Sequence, residues 1–165
     1  MVLIERSEAE PWMDHLELRD DPPQNVEGVY GRKRPRIDIE FVQVIRGKRP
    51  QYHIEAKRLY RSDSVSEYLG KDGIQMFING QYATEWPSAG MIGYVQADKC
   101  AAWFARLANG FAGRRNELSI CEDQKPWESA GFEGDDLESA QISCHERTPG
   151  SLGRIEICHL LLQFV

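Results

Sequence analysis

The chain has 165 residues, 41% of them apolar and 28% charged; this suffices for one domain with a core of its own, is too little for two, and excludes a disordered or fibrous composition. Its net charge of -6 argues against nucleic acid as a partner only on average. From Gly31 to Arg61 ten basic residues stand against three acids, so that segment is +7 and the remainder -13, a local basic footprint in an acidic protein.

Ser7 and Glu10 have capping-box spacing, and Ala9, Trp12, Met13 and Leu16 recur every three to four residues, which predicts a helix over 7–18 with Pro11 in its first turns. Asp20 to Asn25 reads as loop, and Val26 to Tyr30 is the sole candidate for an early core strand. From Arg36 the period becomes two: Ile37, Ile39 and Phe41 alternate with Asp38, Glu40 and Val42. Arg46 to Pro50 is a polar turn. After it Tyr52, Ile54 and Ala56 share one face, and His53, Glu55 and Lys57 the other, so the two runs form a β-hairpin. Val65 to Phe77 is read as a helix weakened by Gly70 and Gly73, Ala89 to Val95 as a buried strand, and Asp98 to Phe111 as an amphipathic helix. Residues 116–138, acid-rich with Lys125 as their one basic residue, are read as an exposed loop. A last pair of strands, Ala140 to Arg147 and Arg154 to Val165, flanks the turn T-P-G-S-L-G.

The hairpin sets Asp38 and Glu40 on one strand, and Glu55 and Lys57 on its neighbour, about 4.8 Å away. Carboxylates on one face of adjacent strands can share a divalent cation, and hard cations such as Mg²⁺ take oxygen ligands together with water and phosphate oxygens. A lysine two residues after the second carboxylate stands on the same face, where it can handle a proton or steady developing negative charge. Phosphodiester hydrolysis needs this set. Arg58 and Arg61 are placed to grip backbone phosphates; Glu40 and His53 are further candidates, although His53 reads more simply as an exposed strand histidine.

R-I-D-I-E-F followed by Y-H-I-E-A-K-R-L, with Glu55 seventeen residues after Asp38, resembles the signature of the PD-(D/E)XK nuclease superfamily. The resemblance implies an α-β-β-β-α-β core, with the Asp on the second strand and E-x-K on the third. By position it makes Asp38 and Glu55 metal ligands, the carbonyl of Ala56 a third, and Lys57 the catalytic lysine, with Mg²⁺ or Mn²⁺ as cofactor. The segments Tyr68 to Gly73 (Y-L-x-x-D-G), G-M-I-G-Y-V and the final H-L-L-L are similar to those of bacterial nuclease-like proteins of restriction or phage defence. That similarity implies DNA as substrate, with a partner ATPase or other defence subunit, or a second copy of the chain, as associates. The sequence departs from the superfamily where Ile37, not Pro, precedes the Asp, where the stretch for a first helix that often supplies a Glu is short, and where the first core strand has Val26 to Tyr30 as its sole candidate.

The fold expected is therefore α/β: one domain over 1–165 with a restriction-endonuclease-like core about 26–112, a mixed central sheet carrying the catalytic hairpin, flanking helices, an acidic loop about 116–138 and a C-terminal hairpin over 139–165. The rival reading is an inactive nuclease-fold subunit that binds DNA or a partner protein. Cys100, Cys121, Cys144 and Cys158 contain no C-x-x-C pair and read as small buried apolar residues; Cys144-His145 and Cys158-His159 offer one ligand each to any one site, too few for structural zinc. Ile155 to Val165 is about half the length of a membrane span, and Glu5, Glu8, Glu10 and Asp14 are unlike a secretory leader, so a cytoplasmic location without membrane association is expected.

Overall fold

The alternating runs around residues 36–59 do form neighbouring antiparallel strands. The computed structural model describes residues 15–24, 28–44, 49–130, 140–147 and 153–164. In chain order its elements are β1 (Leu16–Asp20), a 3-10 turn (Gly31–Lys33), β2 (Ile39–Gln43), β3 (Gln51–Leu59), α1 (Ser64–Leu69), α2 (Gln75–Ile78), β4 (Ser88–Val95), α3 (Cys100–Gly113), β5 (Glu128–Ser129), β6 (Gln141–Glu146) and β7 (Arg154–Gln163). The strands make one seven-stranded mixed sheet in the order β1-β2-β3-β4-β7-β6-β5. β1, β2 and β3 run antiparallel to one another. β3, β4 and β7 are parallel, and β6 returns antiparallel beside β7.

One face of this sheet is the core. Leu59 from β3, Ala89, Met91 and Val95 from β4, and Ile155, Ile157 and Leu161 from β7 are buried against Tyr68 and Leu69 of α1, Phe77 of α2, and Trp103, Leu107 and Phe111 of α3. Each buried Leu, Ile, Val, Met or Phe among them contributes about 1.5–3 kcal/mol relative to exposure. The α3 stripe matches its expected spacing: Trp103, Leu107 and Phe111 are buried, with Cys100 and Phe104 packed beside them.

Four expectations are corrected. The helix over 7–18 fails from Leu16 onward, where the chain is strand β1, paired Leu16↔Gln43 through Asp20↔Ile39; its earlier part, residues 7–14, lies outside the described residues. Leu16, Glu17, Leu18 and Arg19 alternate, and the unsatisfied edge of β2 supplies hydrogen bonds that a helical spacing ending at Leu16 could not use. β1 is thus the strand ahead of the hairpin; among the described residues of the earlier candidate, Gly28 to Tyr30, none is strand, and Gly28 sits at φ +76. The helix over Val65 to Phe77 is broken into α1 and α2. A Cβ on Gly70 would stand 2.5 Å from the Ser66 carbonyl oxygen, and one on Gly73 2.3 Å from that of Tyr68, so the break depends on both glycines. The exposed loop over 116–138 is also partly ordered. Leu118, Ile120 and Cys121 are buried, Ile120 bridges His145, and β5 pairs with β6; residues 131–138 lie outside the described ones.

Candidate active site

The β2–β3 register pairs Glu40 with His53 and Ile39 with Ile54. Glu40, His53, Glu55 and Lys57 therefore stand on the face that carries the core, and Asp38 lies one residue ahead of β2, beside the Glu55–Lys57 end of β3. Asp38 lies just before β2, half-buried, and its Oδ2 accepts the Ala56 N–H at 2.7 Å. Glu55 is only 4% exposed, and its Oε1 takes the Lys57 ammonium at 2.5 Å. Its other oxygen, Oε2, is buried with no hydrogen-bond partner among the described residues. Burial raises the Glu55 carboxyl to about 7, helped by the neighbouring charge of Asp38 and opposed by Lys57 and the Asp38 backbone N–H.

The site thus brings together three of the four residues of the sequence constellation by direct bonds and register: Asp38, Glu55 and Lys57, around the Ala56 peptide. Lys57, half-buried, opens into a cavity of about 440 Å³ shared with Asp63, Ser66, Gly70, Lys71 and Asp72 of the α1–α2 region. Asp38 and Ala56 line a separate depression of about 350 Å³, with Asp20, Arg58 and Tyr94.

Among the described residues no three Asp, Glu, His or Cys side chains converge into a ready-made metal cage. A hard divalent cation needs less from the protein, since one or two carboxylates and a carbonyl are completed by water and phosphate. The donor chemistry of Asp38, Glu55 and the Ala56 carbonyl fits that requirement, and the unpartnered Glu55 Oε2 is a buried acceptor that a cation would satisfy.

Glu40 and His53 form their own buried group. His53 Nε2 meets Glu40 Oε1 at 2.9 Å, and Arg19 Nη1 meets Glu40 Oε2 at 3.1 Å, at the wall of a polar cavity of about 370 Å³. His53 is 3% exposed, which corrects its reading as an exposed strand histidine: it shares the core-facing side with Glu55. Burial lowers its proton affinity although Glu40 pulls the other way. Arg58 and Arg61 are exposed, and both guanidiniums lie over the ring of Tyr60, at 5.1 and 5.0 Å. Arg61 is also paired with Asp63 at 2.5 Å and with Glu67, which offsets its charge; Arg58 alone of the two borders the Asp38 depression.

Two residues that the sequence did not single out stand here. Tyr82 is buried and donates its hydroxyl to the Arg36 carbonyl at 2.5 Å; burial first, then the charges of Glu55, Asp38, Asp21 and Asp72, hold that hydroxyl protonated. Asp72 borders the Lys57 cavity. Its signal was the Y-L-x-x-D-G segment, whereas Tyr82 reaches the site through tertiary packing that no local pattern encodes. Loop 83–86 beside Tyr82 is held by Arg147 at the end of β6, whose guanidinium donates to the carbonyls of Ala83, Thr84 and Trp86 at 2.7–3.1 Å.

No family model matches the chain, and no curated protein or solved structure is similar to it.

Proposed function

We propose that the protein is a metal-dependent nuclease that hydrolyses phosphodiester bonds of DNA with Asp38, Glu55 and Lys57. One observation carries the reading: Glu55, buried and raised to about 7, stands between the Lys57 ammonium and the facing Asp38 with one oxygen unpartnered. Burial of a carboxylate with one oxygen unpartnered is costly, and a site tolerates it where the group has work to do. The sheet supports the nuclease-like reading as well. Three antiparallel strands carry the Asp at the start of the second and E-x-K on the third, and helices then lead to a parallel fourth strand. The resemblance to the PD-(D/E)XK signature implies the same order, which supports the reading.

Asp38 and Glu55, with the Ala56 carbonyl, would hold Mg²⁺ or Mn²⁺. The bound cation would supply charge neutralisation at the scissile phosphate and acidify a water molecule. Lys57, beside Glu55 Oε1, places its ammonium where it donates a hydrogen bond to the phosphate oxygen that gains charge. Arg58, exposed next to the Asp38 depression, is positioned for a neighbouring phosphate.

The test is cleavage of plasmid DNA with Mg²⁺ or Mn²⁺, beside Lys57→Ala and Asp38→Asn. Wild type is expected to cut, and each variant to lose at least about 100-fold in rate, the usual cost of removing such a group. Cleavage that persists in both variants overturns the reading. So does the absence of cleavage by wild type on duplex DNA, single strands and RNA, an outcome that leaves the binding-only subunit in its place.

A further inference from the structure

We infer that Cys121 and Cys144 are the two halves of an intramolecular disulfide, a covalent modification site that closes over the side of the core remote from the candidate active site. Their sulfur atoms lie 2.6 Å apart, both residues being buried. Both are free thiols, and reaching the S–S bond length of about 2.05 Å needs only a small shift of either side chain.

The backbone independently brings them together. Segment 119–121 runs antiparallel along the outer edge of β6: Ile120 bridges His145, the Cys121 N–H donates to the Cys144 carbonyl at 3.0 Å, and the Glu146 N–H to that of Ser119 at 2.7 Å. Cys121 and Cys144 are therefore directly opposed. Such pairs have Cα atoms about 5.5 Å apart, inside the span that a disulfide bridges. Arg115 fixes the segment further by donating to the Cys121 carbonyl at 2.8 Å. The spacing of the four cysteines gave no hint of this, because the pairing depends on a stretch of chain that reads as loop.

Oxidation needs a two-electron acceptor, and a small peroxide suffices. One sulfur, as thiolate, attacks a peroxide oxygen and becomes a sulfenic acid as the O–O bond breaks. The second sulfur attacks the first and expels its hydroxyl as water. In total the two thiols lose two protons and two electrons, and hydrogen peroxide becomes two molecules of water. Burial and the neighbouring Cys121 push the Cys144 thiol up to about 12, so the first attack is slow at neutral pH; the second follows at once because its partner is already in contact. The ring so closed runs from 121 to 144 and contains Trp127, whose indole stacks on Phe111 and on His159, each at 4.8 Å. Oxidation therefore pins the segment that covers the buried His159.

The folded full-length protein is treated with millimolar hydrogen peroxide, alkylated, digested without reductant and analysed by mass. A peptide pair joining Cys121 to Cys144, two hydrogens lighter than the sum of its parts, is expected, with Cys100 and Cys158 alkylated. The oxidised protein is expected to melt roughly 5–10 °C above the reduced one, since a closed loop of this size restricts the unfolded chain. Cys121→Ala and Cys144→Ala are each expected to abolish that rise, and a circular-dichroism spectrum like that of wild type shows that they fold. Four alkylated cysteines after oxidation, a Cys144–Cys158 link, or equal melting of the oxidised and reduced forms would overturn the inference.

Discussion

Glu55 carries two opposed demands, and its proton decides between them. With its carboxyl raised to about 7 by burial, it is half-charged at neutral pH. A cation ligand must be charged, so under the proposed nuclease function the cleavage rate is expected to rise through pH 7 with the slope of a single proton and to level off near pH 8. A rate profile that is flat between pH 6 and 8 would remove Glu55 from the metal site. Stability moves the other way. The folded value lies above the unfolded one of about 4.3, so the native state takes up its proton first. Stability contributed by protonated Glu55 is fully present below about 4.3 and is lost as pH rises through about 7. Glu55→Gln removes the charge while keeping the shape. It is expected to raise the stability at pH 8 by about 1–2 kcal/mol, seen as a higher melting temperature, after allowing for the lost Lys57 contact, to give no gain at pH 5, and to abolish cleavage. Lower melting at both values would show that the carboxylate holds the fold together instead.

At the scale of elements, the break between α1 and α2 is what opens the cavity in front of Lys57. Tyr68 to Gly73 turns where a continuous helix would run, and the turn packs so closely that a methyl on Gly73 meets the carbonyl oxygens of Tyr68 at 2.3 Å and Glu67 at 2.6 Å. Gly73→Ala is expected to cost about 2–4 kcal/mol in chemical denaturation, as overpacking against backbone does. Gly113→Ala, at the open end of α3 with nothing within 4 Å, is expected to be neutral or to stabilise by up to about 1 kcal/mol. Equal effects would mean that the turn is loose. These two glycines also mark what a sequence can show. The hairpin was legible because the alternation of residues 36–59 has one solution: its faces fix the register and bring Asp38 to Glu55. Gly70 and Gly73 weakened a helix without saying that it breaks, because the cause is a carbonyl several residues earlier. β1 was illegible since Leu16 completes a helical spacing and an alternating one equally well, and only pairing with Gln43 decides. Tyr82 and the Cys121–Cys144 contact rest on long-range packing, which local periodicity does not carry.

Across the whole molecule, one buried hydrogen-bonded chain ties α1, β7, β6 and the segment after α3. The Leu118 carbonyl can only accept, so His145 donates to it through Nδ1 at 2.6 Å and its Nε2 must accept. The Ser143 hydroxyl then donates to that nitrogen at 2.7 Å and accepts from His159 Nε2 at 2.7 Å, which leaves His159 Nδ1 to accept from the Tyr68 hydroxyl at 2.9 Å. Every atom of the chain is satisfied with both histidines neutral, and an added proton breaks it. Burial accordingly lowers His145 to about 4 and His159 well below its ordinary value. The unfolded histidines bind protons near pH 6.5, so between about 6.5 and 4 the unfolded state holds more protons and stability drops as the pH is lowered. His145 alone accounts for roughly 3 kcal/mol over that window. Glu55 works in the opposite direction there, so its contribution must be removed before the histidines are read. In a Glu55→Gln background, denaturation midpoints are expected to fall steeply from pH 7 to 4.5. Adding His145→Asn, whose side-chain amide still donates to Leu118 without titrating, should flatten that fall by about one proton's slope. If the slopes with and without His145 coincide, the chain is not held neutral by burial, and acid sensitivity arises elsewhere in the sheet.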